Sequence, residues 1–197
     1  MSREKILDAA AKIFGENGYH ATSMNDIAKA VDLKKGSLYH HVSSKQEILL
    51  ALLEQALDLL ITRVGEVAAQ DLTPEVKLKQ AISVYLNILT ENKSLSAVLL
   101  LEHRSLKPEL HAAHLPQRDK FENIWREIIQ EGIDAQKFNH INPAQAARYL
   151  LGTLGWTITW YNPNGPLSSA EIAEQYANLF LHGLLICKNG QSQDVAN

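Results

Sequence analysis

A single cysteine, Cys187, stands in the 197 residues. That scarcity excludes an internal disulfide and any metal site built from several thiolates. No apolar stretch approaches the roughly 20 uninterrupted residues that a membrane span needs. Met1-Ser2-Arg3-Glu4 opens as a charged helix rather than a signal peptide, so the chain is expected to be soluble and cytoplasmic, with no membrane partner. Long blocks of like charge are missing too, which argues against extended disorder outside the polar tail 189–197. Strand signals are almost absent. The glycine-framed serine of esterases, a phosphate-binding glycine loop, the His-Glu-x-x-His pattern and a cysteine nucleophile with partners are all missing, and no catalytic residue is assigned.

What remains is a chain that is 46 % apolar, enough to bury a sizeable core, and rich in helix-start signals. Ser23 with Asp26, Ser44 with Glu47, Asn142 with Gln145 and Ser168 with Glu171 each set a capping side chain three residues before an acid or amide. Thr73-Pro74 and Asn142-Pro143 add proline at a first helical position. The pattern predicts an all-α fold of nine helices at 3–17, 24–31, 35–41, 45–70, 74–91, 94–106, 109–132, 143–161 and 168–188, the seventh interrupted near Pro116. Residues 1–45 read as a small head, 46–188 as a body and 189–197 as a tail. The formal charge of −3 divides unevenly between them. Residues 1–45 hold seven Lys or Arg against five Asp or Glu, and the rest hold 12 against 17. A basic head on an acidic body suits a protein that presents one end to a polyanion.

Within the head, Ile6, Ala9, Ala10, Ile13 and Phe14 make one apolar helix face, and Met24, Ile27, Ala28 and Val31 make another over the same small core. Residues 24–31, a tight Asp32-Leu33-Lys34 connection and residues 35–41 have the layout of a helix-turn-helix. Lys34, Lys35, Gly36 and Ser37 would let the second helix approach a DNA backbone closely. Tyr39, His40 and His41 offer donors at groove depth. Thr22, Ser23 and Lys45, at helix starts, are candidate phosphate clamps. From spacing alone, a surface helical hairpin with scattered lysines reads equally well.

The run Ile6-Leu7-Asp8-Ala9-Ala10, Phe14, Gly18-Tyr19, Ala21-Thr22-Ser23-Met24, Asp26-Ile27-Ala28 and Gly36-Ser37-Leu38-Tyr39-His40-His41, with Ser44-Lys45 and Glu47, resembles the N-terminal domain of TetR-family repressors. The resemblance covers about the first 50 residues. It implies that Thr22 and Lys45 grip phosphates of an operator duplex while Lys35, Gly36, Ser37, Tyr39 and His40 face the groove. Val42 stands where the family usually has phenylalanine, at a core position.

In the body, helices 143–161 and 168–188 are apolar around nearly their whole circumference, so both must be covered on all sides. One face of each is expected to meet its own core and the other a second copy, in a four-helix homodimer interface drawn from Leu150, Leu154, Ile172, Tyr176, Leu179 and Phe180. An internal hairpin in a monomer is the alternative. Between head and interface, Tyr85, Leu89, Leu99, Leu100, His103, Phe121, Trp125 and Ile128 lie on amphipathic helices whose interior can hold a mostly apolar ligand. Tyr85, Leu89, Leu100, His103, Trp125 and Trp156 are the candidate contacts for such a small-molecule effector, and no cofactor is expected. Each also reads as ordinary core. His111 and His114 share a helical face, but no carboxylate or thiolate completes a metal site, so they read as exposed polar residues.

The segment Trp160-Tyr161-Asn162-Pro163-Asn164-Gly165-Pro166-Leu167-Ser168 and the run Leu179 to Leu184 resemble a TetR branch that represses lipid, fatty-acid or steroid breakdown. That branch is released by acyl-coenzyme A thioesters, the effector class the resemblance implies. Thr159 and Asn162 stand where the branch often has arginine, which removes partners for a phosphate. The combined expectation is a DNA-binding repressor released by a largely apolar effector. The competing reading is a small-molecule carrier or enzyme with a vestigial head.

Overall fold

Capping chemistry places the helix starts. Ser2 accepts from the Lys5 amide, Ser44 from Glu47, and Asn142 from both Ala144 and Gln145. Ser23 and Asp26 exchange both bonds of a capping box, as do Ser168 and Glu171. Proline occupies the first turn of three helices, where no backbone N–H is needed. The computed structural model describes residues 2–184. Over them the chain forms nine α-helices: α1 Arg3–Asn17, α2 Met24–Ala30, α3 Lys35–Leu38, α4 Lys45–Ala68, α5 Pro74–Glu91, α6 Lys93–Ala97, α7 Pro108–Asp134, α8 Pro143–Trp160 and α9 Ser169–Leu184. Cys187, the tail 189–197 and the end expected for the last helix at 188 lie outside the described residues.

Three expectations about helices are corrected. The third helix stops at Leu38 rather than 41, because the His40 and His41 amides close onto carbonyls three residues back. The sixth, expected over 94–106, is α only to Ala97. It continues as a π-helical turn over Val98–Glu102 and a 3-10 turn over His103–Ser105. Pro116 does not interrupt α7, which is continuous from Pro108 to Asp134. Pro116 and Ala112, the residue whose carbonyl loses a donor, both face solvent, so water can satisfy that carbonyl.

α4 serves both halves of the molecule. Ile48, Leu49, Leu52 and Leu53 are buried near its start and Leu57, Leu60 and Val64 further along. α1 packs on α2, α4 and α6, while α5, α7, α8 and α9 assemble around the rest of α4 and each other. One apolar cluster runs without a break from Ile6 to Leu184. At the end of α7 the Lys137 and Phe138 amides both donate to the Gly132 carbonyl at 2.9 Å, with Gln136 in the left-handed region just before them. The Phe138 ring lies over Gly132, so close that a Cβ there would sit 2.1 Å from the ring. Burying that ring contributes about 1.5–3 kcal/mol, and only glycine permits it.

Candidate DNA-binding face and internal cavity

The head is set by its small core. Ile6, Phe14, Ile27, Leu38 and Val42 are all buried, and Phe14 meets Tyr19 edge-on at 5.2 Å. Val42, at the position of the expected phenylalanine, fills its place at 2 % exposure. The turn between α2 and α3 passes through Asp32 at φ 54°, with the Leu33 amide donating to the Ala28 carbonyl at 2.8 Å. This turn presents α3 with Lys34, Lys35, Gly36, Tyr39 and His40 exposed and Ser37 half-buried. Beyond its chain neighbours and its own helix backbone, no atom of the described residues lies within 4 Å of where a Cβ of Gly36 would be. Internal packing therefore gives no reason for glycine at this position, whereas close approach by an outside surface does.

Three candidate clamps are already engaged inside the head. Thr22 is buried and its hydroxyl donates to the Gly18 carbonyl at 2.9 Å. The Ser23 hydroxyl donates to Asp26 at 2.6 Å within the capping box, whose hydrogen bonds also hold the Asp26 carboxyl below its usual pKa. Lys45 donates to the carbonyls of Tyr19 and Thr22 at 2.9 and 2.7 Å and sits 4.1 Å over the Tyr19 ring. Partial burial lowers its pKa, against the pull of the Glu102 charge. Lys45 is thus a tertiary fastener of the 18–22 turn, which the Thr22 hydroxyl braces locally. Sequence spacing could not reveal this, because the bonds join residues 23 and 26 apart.

The same turn is tied to the body. Glu102, in the π turn, accepts from the Tyr19 amide at 3.1 Å and from the Ser105 hydroxyl at 3.2 Å. Ser105 is 3.1 Å from the His20 ring. Gln46, at the start of α4, donates to the Tyr19 hydroxyl and the Ser105 carbonyl, each at 2.8 Å, and accepts from the Lys107 amide at 2.9 Å.

On its other side the 98–105 segment lines a cavity of about 500 Å³. Leu99, Leu100 and His103 face Leu57 and Leu60 of α4, Tyr85 of α5, Leu115, Arg118, Asp119, Phe121 and Glu122 of α7, and Arg148, Leu151 and Gly152 of α8. Tyr85 stacks on Phe121 at 5.8 Å, and Trp125 meets both edge-on. Burial raises the Tyr85 phenol well above its usual range. Of the six expected contacts, Tyr85, Leu100 and His103 line this space. Leu89 and Trp125 are buried but do not line it. Trp156 is 65 % exposed: two residues beyond Leu154, it lies on the opposite side of α8, about 200° around the helix. Arg118, Glu122 and Arg148 were missed, although Phe121 and Trp125 share a stripe of α7 with Arg118 at the spacing that marks one helix face. Glu122 accepts from Arg126 and, at 3.2 Å, from Arg148.

The histidines differ from expectation. His114 is buried at 1 % exposure, with no partner for either ring nitrogen among the described residues. Burial, then the charge of Arg118, holds its pKa at about 4. His103 is lowered for the same reasons. Among the described residues no group of three His, Cys, Asp or Glu could hold a metal ion.

The residues expected at a dimer face divide by burial. Leu150, Leu154 and Ile172 are buried within the chain and have no surface to offer. Tyr176 and Phe180 are half-buried, and the Tyr176 hydroxyl meets that of Thr157 at 3.3 Å. The exposed apolar side of α8 and α9 consists of Tyr149, Trp156, Trp160 and Leu179. No helix among the described residues is long and apolar enough to cross a membrane.

Comparison with known proteins agrees with this architecture. Residues 6–52 match the family model described as bacterial regulatory proteins, tetR family, and residues 71–184 match the tetracyclin repressor-like C-terminal domain. The transcriptional repressor KstR2 of Rhodococcus jostii is 29 % identical over 184 residues, covering 92 % of this chain and 90 % of the relative. The crystal structure of PfmR, a TetR family regulator from Thermus thermophilus, has a TM-score of 0.83 at 34 % identity, covering 90 % of this chain and 97 % of that one. The structure of AibR in complex with isovaleryl coenzyme A and operator DNA has a TM-score of 0.82 at 26 % identity, covering 93 % and 97 %.

Proposed function

The chain belongs to the TetR family of bacterial regulatory proteins and is a DNA-binding transcriptional regulator; from that premise we propose that it is a homodimeric repressor released from its operator by a largely apolar effector held in the internal cavity. The exposed side of α3, with Lys34, Lys35, Gly36, Tyr39 and His40, reads the duplex. Two heads meet half-sites one helical turn apart, roughly 34–36 Å. The outer faces of α8 and α9, through Tyr149, Trp156, Trp160 and Leu179, form the contact between copies.

The observation that carries this reading is the two-sided 98–105 segment. Leu99, Leu100 and His103 line the cavity, while Glu102 and Ser105 hold the Tyr19–His20 turn of the head. An effector that repacks the first group changes the geometry of the second. A π turn carries an extra residue per turn and can be wound out by a small local change. Tenfold release at saturation needs only about 1.4 kcal/mol of differential affinity between the two arrangements. An acyl thioester is the effector class favoured by the likeness to AibR, which was crystallised with isovaleryl coenzyme A.

The test is a gel-shift with duplex DNA from beside the protein's own gene, repeated with acyl thioesters of increasing chain length. Specific retardation reversed by at least one thioester is expected. Binding no better than to random DNA would refute the repressor. Sedimentation should give about twice the 22.0 kDa chain mass, falling to one chain mass with Trp156→Glu.

A further inference from the structure

We infer that the Arg118 side of the cavity binds a negatively charged group, so that the ligand is an amphiphilic anion, an apolar tail carrying a carboxylate or phosphate. This rests on the role of the cavity proposed above and adds the ligand's charge and its orientation. His114, Arg118 and Phe121 follow one another at i, i+4 and i+7 on α7 and share one face. Phe121 stacks on Tyr85 in the aromatic wall, and Arg118 also lines the cavity. His103 faces the same cavity from the 3-10 turn.

Among the described residues that line the cavity, Arg118 is the cation with no ion-pair partner. α4 and α5 contribute only Leu57, Leu60 and Tyr85. From α8, Arg148 is spent on Glu122, which Arg126 also holds. Asp119 lies about 100° around α7 from Arg118 and forms no ion pair with it. Arg118 stands exposed at the rim of the cavity and makes no hydrogen bond or ion pair with any described residue. Behind it, the buried His114 has two unpartnered ring nitrogens, an arrangement that native interiors avoid without a reason. Arg104 and His111 complete the charged or titratable neighbours of the two imidazoles. An apolar tail against Tyr85 and Phe121 would direct its charged end toward Arg118.

A proton should accompany the anion. Burial and the Arg118 charge keep His103 and His114 neutral near pH 7. A negative group beside Arg118 cancels part of that repulsion and raises both pKa values. Binding then takes up protons, and affinity rises as pH falls toward the range in which these imidazoles titrate.

The experiment titrates the full-length protein with decanoate, decyl phosphate and 1-decanol by calorimetry, at pH 6.5 and in two buffers of different ionisation heat. At least one anion should bind tenfold more tightly than decanol, and which anion does so separates a carboxylate site from a phosphate site. Arg118→Gln should bring that anion within threefold of decanol without altering decanol, and Arg118→Lys should restore part of the preference. Net proton uptake should appear with decanoate, which stays ionised at this pH, and not with decanol, while decyl phosphate, which itself titrates near this pH, is compared by affinity. Equal binding of all three probes, an equal loss of all three in Arg118→Gln, or binding of none overturns the inference. An anion preference without proton uptake overturns the part given to the imidazoles. Gel-shift in parallel keeps this apart from the repressor reading. Anions that bind as expected but leave an operator complex intact refute the effector mechanism alone. Release by decanol only refutes the anion site alone.

Discussion

Replacing Lys45 by Met distinguishes a phosphate clamp from an internal fastener. The substitution keeps the apolar stem and removes the ammonium that bridges the Tyr19 and Thr22 carbonyls and covers the Tyr19 ring. Two net hydrogen bonds at about 1 kcal/mol each and a ring contact of about 0.5–1 kcal/mol are lost. Part is recovered because a partly desolvated charge is no longer held there. A net loss of about 2 kcal/mol should lower Tm by roughly 4–8 °C in a chain of this size. The decisive assay is operator affinity against salt. A residue that neutralises one phosphate contributes about 0.9 to the slope of log K against log salt. Lys45→Met should leave that slope unchanged while weakening binding uniformly, because the turn that aims α2 is loosened. A slope reduced by about 0.9 with an unaltered Tm would refute the fastener and restore Lys45 as a clamp.

Gly132→Ala should lower stability by about 1–3 kcal/mol despite the better helix propensity of alanine, since Phe138 must leave its site. In a Phe138→Ala background the same change should be neutral or stabilising by chemical denaturation, and additivity of the two would contradict the packing argument. Acid stability should depend on His114. With its folded pKa at about 4 and an unfolded value near 6.5, the folded state binds fewer protons between the two. Stability therefore falls as pH drops through that window, by up to about 3 kcal/mol. A denaturation series from pH 7 to 4 should steepen in the wild type and flatten in His114→Leu. Glu102→Gln weakens the charged acceptor that joins cavity to head. With an effector that releases the wild type tenfold, the variant should respond by less than about threefold, and an undiminished response in the gel-shift would exclude Glu102 from the route.

Helix starts were legible because a capping serine or asparagine acts on amides two or three residues away, so the signal is local. Ends and irregular turns were not. Nothing in Val98-Leu99-Leu100-Leu101-Glu102 distinguishes a π turn from an α turn, because the choice is made by what Leu99 and Glu102 reach on opposite sides. Helices α8 and α9 carry apolar residues all round, so composition marked them as covered on every side but could not give their phase. Leu154 therefore passed as an interface residue and Trp156 as a cavity residue. The exposed polar side of α3 was readable from residues 34–40 themselves. The engagement of Lys45 was not, since it depends on how α4 docks against the 18–22 turn. Arg118 is solvated, as a lone arginine on a helix ordinarily reads, and only the fold shows that it also borders the cavity.

The first turns of α4 are chemically part of the head. Arg3 of α1 pairs with Glu47 at 3.1 Å, Lys45 and Gln46 hold the 18–22 turn, and Ile48, Leu49 and Leu52 close the apolar interior above α1. Anyone grafting this DNA-reading module onto a different sensor should therefore join the two chains beyond Leu53, inside the helix, and not at the short loop before it. A chimera cut at residue 44 would inherit a reading surface whose underside belongs to another protein. It should express poorly or bind any duplex weakly, even with every DNA-facing residue intact.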